Sequence, residues 1–149
     1  IEVRPVRGNV LTRLNKLDSG EYGALVLACA GLERLGMSDR ISRVFNEDEM
    51  LPAAGQGIIA VQGRAGEDFS YLEGVDCYES RLCAIAERAF IRELDGGCSS
   101  PVAAFAKIQN EVLVLKGMNV KNDEPLFGSI CGSFEEAEKI GKILAGRLK

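Results

Sequence analysis

The sequence predicts an α/β arrangement over its first part and an α+β unit of helix, three antiparallel strands and helix over its last eighty or so residues. Three patterns carry this reading. Short strand-like and helical runs alternate near the start, the order that builds an α/β layer. Residues 75–94 repeat their apolar positions at helical spacing. Three β-like runs separated by turn residues then lead into a capped closing helix.

Residues 1–6 alternate, and Pro5 removes a ladder donor, so they read as an edge or terminal strand. Arg7-Gly8-Asn9 turns the chain, and Asn9 or Thr12 caps a helix to about Leu17 that Asp18-Ser19-Gly20 stops. Ala24-Leu25-Val26-Leu27-Ala28 is a continuous apolar run, the pattern of a strand buried on both faces. A short helix starts at Gly31 and closes at Gly36. After an acidic, loop-like stretch over 46–50, Leu51-Pro52 opens a new element. Gly55-Gln56-Gly57 leads into an apolar strand over 58–61, and 66–74 reads as a linker.

The helix over 75–94 has Tyr78, Leu82, Ile85, Ala86, Ala89 and Phe90 as its apolar stripe, with Arg81, Arg88 and Arg92 as a solvated flank. Strands follow over 102–108, 112–120 and 126–130, turned by Gln109-Asn110 and Asn122-Asp123. Ser133-Phe134-Glu135-Glu136 is a capping box. It opens a last helix with Phe134, Ala137, Ile140, Leu144 and Leu148 as the buried stripe.

Composition bounds the function. The 149 residues are 46% hydrophobic and 27% charged, which is ordinary globular content and excludes disorder as a default. A net charge of −4 argues against nucleic acid. No run approaches the roughly 20 apolar residues of a membrane helix, so a soluble, cytoplasmic protein with no membrane partner is expected. Five cysteines without a C-x-x-C pair, in a chain without histidine, predict reduced thiols and no metal site. Ile1 opens directly in a strand-like run, which reads as a chain cut from a longer one.

Three features stand out chemically. Arg7 and Arg13 flank a helix start, where guanidinium forks and free backbone N–H groups suit carboxylates or phosphates; surface arginines beside a cap are the bland alternative. Gly55-Gln56-Gly57 alone signals only tight backbone packing. In Asp95-Gly96-Gly97-Cys98 the glycines leave the thiol accessible to something bulky, and with no histidine as base the cysteine suits a single alkylation and an anchoring role better than acyl transfer. Cys29, Cys77, Cys83 and Cys131 sit in apolar patterns and read as buried small hydrophobes.

Taken in order, five motifs resemble the hydroxymethylbilane synthase (porphobilinogen deaminase) family. They are Arg7-Gly8-Asn9-Val10 with Thr12-Arg13-Leu14, residues 28–35 (Ala-Cys-Ala-Gly-Leu-Glu-Arg-Leu), residues 51–57 (Leu-Pro-Ala-Ala-Gly-Gln-Gly), Ala86-Glu87-Arg88-Ala89, and Leu94-Asp95-Gly96-Gly97-Cys98. The resemblance implies a transferase of tetrapyrrole (porphyrin, heme) biosynthesis. Four porphobilinogen molecules condense stepwise into hydroxymethylbilane with loss of ammonia, on a dipyrromethane cofactor joined to Cys98 by a thioether.

It further implies that Arg7, Arg13 and Arg34 hold carboxylates of the cofactor and the growing linear polypyrrole, that Gln56 lies near that site, and that Gly96 and Gly97 belong to the anchor. No catalytic residue is expected in this chain, since the family's aspartate belongs to an N-terminal region absent from it. Residues 1–49 are expected as the latter half of a periplasmic-binding-protein-like second domain, 50–69 as a return through the first domain and linker, and 70–149 as the cofactor-anchoring α+β domain. The whole enzyme is expected to be a monomer, and this chain alone to be inactive and without dipyrromethane. The alternative from another class is a non-catalytic carboxylate-binding module with an ordinary thiol at Cys98.

Overall fold

Asn9 starts the first helix in the manner its sequence position dictates. Its side-chain oxygen accepts from the Thr12 backbone N–H at 2.8 Å and from the Thr12 hydroxyl at 2.9 Å, satisfying a donor that a helix start leaves free. The computed structural model describes residues 1–95 and 100–149. These residues form two compact units, Ile1–Phe45 and Asn46–Lys149.

The first unit holds α1 (Val10–Asp18) and α2 (Cys29–Arg34), followed by a 3₁₀ turn at Ser38–Arg40. Leu14 and Leu32 are its buried side chains, and Arg40 closes the unit onto Asp18 at 2.5 Å. The expected strands over 1–6 and 24–28 are not formed, and Val3 and Val26 are exposed. Strand-like sequence becomes strand only when a second strand takes up its N–H and C=O groups, and no described residue does so here. The α/β layering expected for this part is therefore absent from residues 1–45, which show helices and extended backbone. The strand expected over 58–61 fails for the same reason, leaving Ile59 and Val61 exposed.

The second unit is the α+β fold that the sequence predicts. It runs α3 (Tyr78–Glu93), β1 (Ala103–Gln109), β2 (Val112–Lys121), β3 (Glu124–Ser133), a 3₁₀ turn (Phe134–Glu136) and α4 (Ala137–Leu148). The sheet is antiparallel in the order β1-β2-β3. Both hairpins are two-residue turns with positive φ at both positions, Asn110–Glu111 and Asn122–Asp123, the geometry whose twist matches paired strands. The first turn thus falls one residue later than expected, with Gln109 paired to Val112.

Both helices pack on one face of the sheet. Phe90, Leu113, Leu115 and Leu144 are fully buried there, each stabilising the unit by about 1.5–3 kcal/mol. The α4 stripe matches expectation, and Phe134 packs against the core from the preceding turn. The capping box does not form as expected: Ser133 Oγ accepts from the Glu135 N–H at 3.4 Å, and the helix is entered through the 3₁₀ turn.

On α3 the buried stripe is rotated from the expected one. Cys83 and Glu87 are buried, whereas Ile85 is exposed and Tyr78 lies at the surface with its ring edge-on to Phe134. Arg81 and Arg88 are exposed as expected, with Arg81 paired to Asp76 at 2.9 Å. Two cysteines depart from their expected burial. Cys77 precedes α3 outside the packed stretch, and Cys131 points away from the helices on β3; both are exposed, Cys29 is half-buried, and only Cys83 of these four is buried.

A strap over residues 46–57 edges the sheet. The N–H of Ala104, on the β1 side away from β2, donates to the Pro52 carbonyl at 3.1 Å, which blunts an edge that would otherwise present free donors. On the sheet face opposite the helices, Lys107 donates to Glu47 and Lys116 to Asp48, each at 2.5 Å.

Candidate functional site

The arginines expected to bind carboxylates all belong to the first unit. Arg7 lies immediately before the α1 cap and is exposed. Arg13, one turn into α1, is half-buried because its Nε donates back to the Gly8 carbonyl at 2.8 Å. That bond fixes the guanidinium plane across the helix start while leaving its terminal nitrogens as donors. Arg34 is the last residue of α2 and exposed. A Cβ on Gly31 would meet Val10 at 3.8 Å, so the first turn of α2 lies beside the first turn of α1.

Gln56 belongs to the second unit, exposed at the tip of a tight turn. Gly55 and Gly57 take φ of 78° and 82°, and nothing lies within 4 Å of where a Cβ would stand on either. The glycines are there for backbone conformation and not for close packing. Below the turn is a residue that sequence reasoning left without a role. Glu87 is 3% exposed; its Oε2 accepts from the Gly55 N–H and its Oε1 from the Ala106 N–H, both at 2.7 Å. Burial raises its pKa above the ordinary carboxylate value, and the two N–H bonds oppose that shift. Two signals in the sequence pointed to it: its place in the Ala86-Glu87-Arg88-Ala89 motif, and a charge four positions after Cys83 and three before Phe90, on the stripe that proves buried.

Around the strap, the Lys107 ammonium lowers the pKa of Glu47 to about 2, with Lys116 adding to the effect, and Asp48 raises that of Lys116. Ser80 lowers the pKa of the exposed Cys77 thiol by hydrogen bonding, whereas burial raises that of Cys83 and the Glu87 charge adds to it. Among the described residues no group of His, Cys, Asp or Glu could hold a metal ion, and no helix is long and apolar enough to cross a membrane. Gly96, Gly97 and Cys98 lie outside the described residues; Asp95, the last residue before them, has φ 53° at the end of α3.

Fold and chemistry together define a two-unit protein, with guanidinium groups beside a helix start in one unit and an α+β domain as the other. Comparison with known proteins narrows this class to one family. Residues 1–71 match the family model described as porphobilinogen deaminase, dipyromethane cofactor binding domain, and residues 81–149 match porphobilinogen deaminase, C-terminal domain. A porphobilinogen deaminase of Ruminiclostridium josui is 50% identical over 147 residues, covering 97% of this chain and 50% of the relative. One of Alkaliphilus oremlandii is 49% identical over 148 residues (99% and 50%), and one of Coxiella burnetii (strain Dugway 5J108-111) 44% over 151 (99% and 49%). The chain belongs to the porphobilinogen deaminase family. It spans about half the length of the curated relatives it matches.

Proposed function

We propose that this chain contributes the carboxylate-holding arginines and the anchoring cysteine of a porphobilinogen deaminase, a transferase of tetrapyrrole biosynthesis that joins four porphobilinogen molecules into hydroxymethylbilane with release of ammonia. The observation that carries the proposal is 50% identity, sustained over 97% of the chain, to an enzyme of that name.

The residues present fit a dipyrromethane cofactor by their donor chemistry. Its acetates and propionates call for forked cations, and Arg7 and Arg34 are exposed while Arg13 has its plane set by Gly8. When bound through Cys98, the cofactor supplies a pyrrole end on which the product grows. Each added unit brings two further carboxylates, and Arg7, Arg13 and Arg34 neutralise them as water is displaced. The exposed Gln56 amide, on the turn between Gly55 and Gly57, offers a further neutral donor for a ligand carboxylate. Proton handling at the pyrrole nitrogens falls to an aspartate in the part of the relatives that this chain does not span, so no acid described here is assigned that work. In this reading residues 1–49 and 50–69 complete periplasmic-binding-protein-like domains, 70–149 anchor the cofactor, and the enzyme is a cytoplasmic monomer.

Incubating the whole enzyme and, separately, this 149-residue chain with porphobilinogen tests the proposal, with hydroxymethylbilane and intact mass as readouts. The whole enzyme is expected to turn over and to carry its adduct on Cys98; the chain alone is expected to do neither. Turnover by the chain alone, or an adduct on Cys29, Cys77, Cys83 or Cys131, overturns it.

A further inference from the structure

Glu87 spends both carboxylate oxygens on backbone donors from distant parts of the chain, Ala106 on β1 and Gly55 in the turn that presents Gln56. A carboxylate accepts through two oxygens, whereas an amide in its place has one acceptor and would aim its own N–H groups at the second donor. Burying a charge is costly unless its partners are well placed, so this position calls for two acceptors and not merely a polar filler. The Gly55 bond spans 32 residues and ends one residue from Gln56. Pro52, Glu47 and Asp48 tie the strap to the sheet through Ala104, Lys107 and Lys116; the Gly55 bond ties it to α3 and is the one nearest the turn.

We propose that Glu87 is a positioning residue: it locks the Gly55-Gln56-Gly57 turn to α3 and β1, so that Gln56 meets its ligand from a fixed backbone. This rests on the ligand role proposed above for Gln56. The titratable group facing Glu87 is Cys83, one turn earlier on α3, whose thiol pKa is raised by burial and, to a lesser extent, by the Glu87 charge.

Two-dimensional NMR of the isotope-labelled 149-residue chain tests the lock without any need for catalysis. The Gly55 and Ala106 amide protons are expected to titrate together, with one midpoint above the ordinary glutamate value. In Glu87→Gln that shared transition is expected to vanish and amide exchange at 55–57 to rise at least tenfold, while Leu113 and Leu115 keep their protection. Separate midpoints in the unsubstituted protein, or unchanged exchange at 55–57 in Glu87→Gln, overturn the proposal; should the variant not fold, the titration alone decides. In the whole enzyme, Gln56→Ala and Glu87→Gln are expected to raise the KM for porphobilinogen similarly and to combine non-additively, and additive effects overturn the positioning role. A locked turn in an enzyme that makes no hydroxymethylbilane would defeat the proposed function and leave the lock standing.

Discussion

Gly141 on α4 packs directly against the Ala86 backbone of α3. A Cβ on Gly141 would stand 2.7 Å from the Ala89 Cβ and 2.9 Å from the Phe90 backbone nitrogen, and closer still to the Ala86 carbonyl oxygen. The first prediction follows from what surrounds that position. Helix backbone cannot swing aside as a long side chain can, so Gly141→Ala is expected to destabilise the second unit by about 1–3 kcal/mol, despite the better helix propensity of alanine. Urea denaturation measures this, and a gain in stability would show that the helices separate freely.

Acid should act through Glu47. Its pKa is lowered to about 2 from 4.5, so the folded chain holds this carboxylate ionised where the unfolded chain takes up a proton. The stability it contributes is present above pH 4.5 and is lost as pH falls toward 2. Lys107→Met removes the main cause of the shift and is expected to flatten that part of the curve, as is high salt, because the pair is partly solvated. The denaturation midpoint followed from pH 5 down to pH 2 is the measurement.

Glu87 should act in the opposite direction and in a different window. Its folded pKa is raised, so the folded chain holds a proton that the unfolded chain has released above pH 4.5. Its contribution is most favourable below that pH and declines as pH rises through the folded value. Glu87→Gln is expected to abolish this slope. Glu87→Ala orphans the buried Ala106 donor as well and is expected to cost roughly 1–3 kcal/mol or more at neutral pH.

Thiol labelling should rank three cysteines. Cys77 is exposed with a lowered pKa and is expected to react faster with iodoacetamide at pH 7.5 than Cys131, which is also exposed, while Cys83 stays protected until the fold opens. Peptide mapping over a time course gives the order; labelling of Cys83 at the rate of Cys131 would contradict the packing of α3.

Arg7 and Arg34 should matter to ligand and not to fold. Both are exposed, so Arg7→Leu and Arg34→Leu are expected to change stability by no more than about 0.5 kcal/mol while slowing hydroxymethylbilane formation by the whole enzyme at least tenfold. Melting temperature and turnover, measured side by side, separate the two roles.

Much of this molecule was legible in local sequence. The Asn9 cap, the period of α3 and α4, and the turn residue pair Asn122-Asp123 act within a few residues of themselves, so helices and hairpins could be placed before any contact was known. Arg7, Arg13, Arg34 and Gln56 were legible as candidates because they lie within motifs carried intact along the chain. What needed the tertiary structure was whatever depends on a partner distant in sequence. Residues 1–6, 24–28 and 58–61 carry strand-like patterns, yet none is a strand, because a ladder requires a second strand and no described residue supplies one. The rotation of the α3 stripe toward Cys83 and Glu87 likewise depends on Gly55 and Ala106, 32 and 19 residues away, whose N–H groups make a buried carboxylate tenable. Periodicity and capping are properties of a segment, but strand pairing and the burial of a charge belong to the whole fold, since their free energy lies in groups that meet only when the chain has folded.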